Sequence, residues 1–153
     1  MECQELFLSD IVRVQVYQSS QVSFSLPSTI HGITTMAKIT WPKTVLDVSY
    51  DSDKWTVREN GIKVKQTTKP SGSRLLYIYN VEMAFDSDIS DISALLPTMQ
   101  HVDHVVLLTK ADGSMLLLYT LPGAFSVDGQ NTLSEGSLSL SVSSINNFIS
   151  VTD

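Results

Sequence analysis

Apolar and polar residues alternate along much of this chain with a period of two. In residues 11–17, Val12, Val14 and Val16 share one side of an extended segment, and Arg13 and Gln15 share the other. This spacing sends one face to a core and the other to solvent. Residues 21–26 repeat it, with Val22, Phe24 and Leu26 against Ser23 and Ser25, and Ser19-Ser20 turns the chain between the two runs. A third β-rich run, 32–41, ends at Pro42. A fourth, 44–50, sets Leu46, Val48 and Tyr50 against Val45, Asp47 and Ser49, and Asp51-Ser52-Asp53 supplies turn chemistry after it.

Two hairpins follow from turn residues. Segments 54–59 and 62–67 flank Asn60-Gly61, a pair that supplies the positive φ values of a type I′ turn. Trp55 and Val57 then share a face with Ile62 and Val64. Residues 105–110 and 115–121 flank Ala111-Asp112-Gly113-Ser114, and their nearly continuous apolar character implies cover on both faces. Between the hairpins lie a flexible loop at 69–73 and a long strand at 74–85. In that strand Leu76, Ile78 and either Val81 or Met83 point inward, with a bend or bulge near Asn80. Residues 86–99 carry Ile89, Ile92, Leu95 and Leu96 at helical spacing; Asp88 or Ser90 caps the start, Asp91 suits the positive end, and Pro97 stops it. After a polar loop at 128–136, residues 137–143 alternate most cleanly, with Leu138, Leu140 and Val142 against four serines. Residues 148–151 add a last short strand.

The count is about ten strands and one short α-helix around residues 88–97. The chain is therefore mainly β, an antiparallel β-sandwich or barrel-like sheet. Its 153 residues suit a single β-rich domain over 1–153. Breaks at 68–73 and 86–104 allow a division into lobes 1–68 and 74–153.

Composition narrows the function. Charged residues make up 17% of the chain, against roughly a quarter in an average globular protein. Serine and threonine take the outward positions instead. A net charge of −6 argues against direct nucleic-acid binding, which needs a clustered basic face. The densest basic group, Lys63, Lys65, Lys69 and Arg74, reads as one exposed strand face. The lone Cys3 excludes an internal disulfide and a thiolate cluster, and reads as incidental. The start is acidic and polar, without the features of a signal peptide, and no apolar run approaches a membrane span.

Candidate chemistry is sparse. His101 and His104 stand three apart around Asp103, a spacing that serves zinc on a helix, yet here they read as a solvated loop. Asp86, Asp88 and Asp91 resemble part of a calcium loop but lack its glycine and terminal glutamate, and helix capping accounts for Asp88 and Asp91. No nucleophile elbow, phosphate loop or dinucleotide fingerprint occurs. Asp47, Glu59 and Glu82 read as solvent-facing strand acids rather than a catalytic pair. The chain thus reads as a non-enzyme with no cofactor and no metal. Trp55 reads as core. Tyr77 and Tyr79 alternate with Leu76 and Ile78 and so face outward; with Trp41 they form a candidate contact surface for carbohydrate or protein.

A sheet face with serine where charge is usual invites association. The apolar run, Asp-Gly turn and return strand over 105–119, with the alternating strand over 138–142, resembles small β-sandwich subunits of the neck and tail of tailed bacteriophages. The resemblance covers about a third of the chain and carries no site residues. It implies a structural component of a virion, a ring or sleeve subunit assembled in the host cytoplasm, whose partners are copies of itself and other structural subunits. The alternative is a cytoplasmic, non-catalytic β-sandwich binding module for carbohydrate or protein.

Overall fold

The computed structural model describes residues 4–8, 10–25, 29–30, 33–34, 38–40, 43–51, 54–72, 74–100, 102–118, 125–132, 134–144 and 149–151. Along the chain run β1 (Gln4–Leu8), β2 (Ile11–Gln18), a 3-10 turn (Ser19–Gln21), β3 (Ser23–Ser25), β4 (Thr29–Ile30), β5 (Ile33–Thr34), β6 (Lys38–Thr40) and β7 (Leu46–Ser49). Then come β8 (Val57–Ser71), β9 (Arg74–Phe85), helical turns α1 (Ser90–Ser93) and α2 (Leu96–Met99), β10 (His104–Lys110) and β11 (Met115–Leu118). The chain closes with β12 (Ser126–Asn131), β13 (Gly136–Ser144) and β14 (Ile149–Val151).

The strands form two five-stranded antiparallel sheets and two short ribbons. Sheet one has the order β1-β8-β9-β13-β12, sheet two β14-β11-β10-β2-β7, and the ribbons are β3-β6 and β4-β5. This is a mainly β, sandwich-like architecture, and neither five-stranded sheet closes into a barrel. Both sheets draw strands from either side of residues 68–73. Residues 68–72 end β8 and lead into the β8–β9 hairpin, with Ser71 paired to Arg74 and Gly72 at φ +64°.

The alternation explains the packing. Val14 and Val16 of β2, Leu46 and Val48 of β7, and Val106, Leu108, Leu116 and Leu118 of β10 and β11 line the inner face of sheet two. Val64, Val81, Met83, Phe85, Leu138, Leu140 and Val142 meet them from sheet one. Nearly all are fully buried, and each such side chain contributes about 1.5–3 kcal/mol of apolar burial. Sheet two is also covered on its other face, as the apolar run of β10 requires: Tyr17, Val105, Leu107 and Leu117 form a second cluster, with Val22 and Met115 against it. The β10–β11 hairpin turns at Gly113, φ +90°, where the Asp112 carboxylate accepts bonds from the backbone N–H and hydroxyl of Ser114.

Several expectations are corrected. Asn60-Gly61 is not a hairpin tip. β8 runs straight through it, with Val57 opposite Phe85 and Ile62 opposite Met83, so the extra residues form a bulge. Asn60 takes φ +57°, and a Cβ on Gly61 would stand 2.7 Å from the carbonyls of Ala84 and Arg58. β9 keeps one register from Arg74 to Met83, with no bulge near Asn80. Its core positions are the odd ones, including Tyr79, and Leu76 and Ile78 are half-exposed on the outer face. Pro97 does not end the helix; it opens the second turn, α2, where its missing N–H costs nothing. Residues 126–131, read as the approach to and start of a polar loop, are edge strand β12, and residues 4–8 are edge strand β1.

Candidate interaction surface

The outer face of sheet one is built by register. Ser137, Ser139, Ser141 and Ser143 of β13 stand opposite Ala84, Glu82, Asn80 and Ile78 of β9. On the next strand Lys63, Lys65, Thr67 and Lys69 stand opposite Glu82, Asn80, Ile78 and Leu76. By register, formal charge on this face therefore sits on β8, at Glu5 of β1, at Arg74 and Glu82 of β9 and at Asp128 of β12. Otherwise β9 and β13 carry serine, asparagine, alanine, Leu76 and Ile78. After Lys110 the chain holds no further Lys or Arg, so β12 and β13 bring no positive charge. Arg74 begins the neighbouring strand β9, at a register position on the same face as the lysines.

The two edges of the sheet differ. Along β12, the Gln100 side chain donates to the Val127 carbonyl at 3.2 Å, and the Asn131 carboxamide accepts the Ile89 N–H at 2.9 Å. The α1–α2 segment thus covers that edge. At β1, the phenyl ring of Phe7 stands on the outer face beside Lys65 and is 68% exposed. Sequence reasoning missed Phe7 because Leu6-Phe7-Leu8 shows no alternation. A groove of about 480 Å³ runs beside it, lined by Phe7, Leu8, Val12, Tyr50, Ile62 and Ala111 among others. The Tyr50 hydroxyl accepts the Ile62 N–H at 3.0 Å and holds its wall. A second hollow of about 460 Å³ lies over the Asn60-Gly61 bulge, between Lys63, Glu82, Asp128 and Ser139.

The side chains first singled out for contact or chemistry do not converge. Tyr79 is 1% exposed and accepts from the Gln66 amide at 3.2 Å, so it is core and not contact surface. Tyr77 is half-buried and packs on the same core. The physical reason is parity: both share a face with Val81, Met83 and Phe85. Trp41, His31, His101 and Cys3 lie outside the described residues. His104 is not in a solvated loop. It opens β10, is 2% exposed, places Nδ1 2.7 Å from the Val102 carbonyl and sets its ring, tilted by 41°, with its centroid 5.0 Å from that of Phe125. Burial holds its pKa below the ordinary 6.5, against the opposing pull of the Val102 carbonyl and Asp103.

The acidic residues serve the scaffold. Asp86 pairs with Arg58 at 2.9 Å, and Asp47 with Arg13 at 2.6 Å. The Asp88 carboxylate accepts from the Asn131 amide and from the Ser90 N–H, which together hold its pKa below 3.8. Asp91 lies exposed in the first turn of α1. Among the described residues no cluster of His, Cys, Asp and Glu is placed to hold a metal ion, and no helix is long and apolar enough to cross a membrane. The chain matches no family model, no curated protein and no solved structure.

Proposed function

We propose that this chain is a non-catalytic structural subunit, of the kind found in the neck and tail of tailed bacteriophages. It acts by packing its sheet surfaces against further subunits of a virion assembled in the host cytoplasm. One observation carries the reading: the outward register positions of β9 and β13, two of the three inner strands of sheet one, hold Leu76, Ile78, Asn80, Ala84 and four serines, with charge only at Arg74 and Glu82, while the lysines of the third inner strand, β8, lie to one side. A free sheet face is normally guarded by charge, whereas the centre of a protein interface is depleted of it. Serine and half-exposed leucine and isoleucine suit a face that loses its water to a neighbour at little desolvation cost.

The alternative, a binding module for carbohydrate or protein, uses Tyr77, Tyr79 and Trp41 as its contact surface; Tyr79 is buried, and Trp41 lies outside the described residues. The test is the state of association. Light scattering after size exclusion, with electron microscopy of the same fractions, is expected to give discrete multi-subunit particles. A stable monomer at high protein concentration overturns the reading.

A further inference from the structure

We propose that β1 is a self-pairing edge, through which two copies join across a two-fold axis at Leu6 into one continuous ten-stranded sheet. The inference rests on the assembly reading only in taking a second copy as the occupant. It starts from the hydrogen-bond alternation of sheet one. The β8–β9 hairpin closes at Ser71–Arg74, so alternate residues of β8, including Val64, Gln66 and Thr68, direct their backbone groups to β1. Their partners there are Leu8, Leu6 and Gln4. The N–H and C=O of Glu5 and Phe7 consequently point away from the sheet, and among the described residues no strand lies beyond β1.

Two antiparallel copies of β1 can meet in several registers. With Leu6 on the axis, Glu5 of each copy stands opposite Phe7 of the other, and the two pairs exchange all their outward N–H and C=O groups. No like charges stand directly opposite each other, and the two Glu5 positions are diagonal neighbours. In that register the two Phe7 rings, each 68% exposed in the single chain, become diagonal neighbours on the same face, within reach of one another. The same pairing thus satisfies the open backbone groups and covers the most exposed large apolar side chain among the described residues.

The other edges are poorer templates. β12 is covered through Gln100, β7 carries the Arg13–Asp47 ion pair, and β14 spans three residues. An isologous contact closes at two copies, so β1 supplies a dimer and leaves the outer face of sheet one for higher assembly.

The test combines light scattering across a concentration series with amide hydrogen exchange on the full chain. The wild type is expected to dimerise, with the Glu5 and Phe7 amides gaining protection as concentration rises. Phe7→Glu, at a site outside the core and opposite Lys65 in its own chain, sets like charge opposite Glu5 of the other copy and is expected to abolish the dimer without lowering the thermal midpoint of the monomer. Phe7→Ser keeps the strand but removes the ring contact, and is expected to raise the dimer dissociation constant about tenfold or more. Larger particles that form equally well with Phe7→Glu, or Glu5 and Phe7 amides that stay unprotected in them, overturn the β1 contact and leave the assembly reading standing. A β1 dimer that never assembles further supports the contact and counts against the virion reading. A monomer overturns both.

Discussion

His104 is a titratable ring set among apolar neighbours, and its burial makes stability depend on pH. Its folded pKa lies below the unfolded value of 6.5, so between the two the unfolded chain binds more protons. Stability is therefore full above about 6.5 and falls as pH drops below it. His104→Phe keeps an aromatic ring against Phe125 but cannot charge. The wild type is expected to lose more of its thermal midpoint than this variant between pH about 7 and about 5. An equal loss in both chains would show that His104 is not the cause. Asp88 acts in a separate window. Its folded pKa is depressed below 3.8, so its contribution is present above that value and is lost only as pH falls beneath it. Gly136 gives a second residue-level expectation. A Cβ there would collide with Cγ1 of Ile89 and stand 2.6 Å from its Cδ1, and Ile89 is fully buried with no room to retreat. Gly136→Ala is expected to cost about 1–3 kcal/mol in urea unfolding.

At the scale of elements, strands with clean alternation were legible. β13 shows Leu138, Leu140 and Val142 inward against serine, and β7 shows Leu46 and Val48, as their patterns require. The β10–β11 hairpin was legible because Asp112-Gly113 separates two apolar runs. Asn60-Gly61 misled for a physical reason: a hairpin turn and a bulge call on the same residue types for positive φ, and only pairing with β9 distinguishes them. The two arrangements answer differently to mutation. At an exposed hairpin tip a Cβ meets nothing. Here it meets the carbonyls of Ala84 and Arg58, both backbone and unable to swing aside. Gly61→Ala is expected to destabilise by about 1–3 kcal/mol, whereas Asn60→Gly, which keeps φ accessible, should stay within about 0.5 kcal/mol. Chemical denaturation of both variants checks the contrast. The face of β9 was misread because Leu76 and Ile78 were counted inward, although the run Val81, Met83, Phe85 sets the opposite parity. Polar edge strand β12 offers little inward pattern beyond Val127, and the sequence shows nothing of the open edge at β1, since edges exist only once strands are ordered.

At the scale of the whole molecule, the two sheets carry their outer faces differently. Sheet two buries Tyr17, Val105, Leu107 and Leu117 on its own, with Val22 and Met115 against them, while sheet one leaves Leu76 and Ile78 half-exposed. Stability and assembly should therefore separate on sheet one. Ile78 and Ser141 point away from the core, on strands whose inward positions are fully buried. Charging them removes little core packing, and exposed substitutions of this kind usually change stability by under about 0.5 kcal/mol. Placed inside an interface, the same charges, diagonal neighbours by register, must lose their water, a loss that their mutual attraction repays only in ideal geometry. The double variant Ile78→Glu, Ser141→Lys is thus expected to keep the wild-type thermal midpoint while losing the multi-subunit particles. Gln15→Lys, on the outer side of sheet two, is expected to change neither. Particles that survive the double variant would move the assembly contact off the serine face, and a collapse of the thermal midpoint would place Ile78 in the core of the subunit itself.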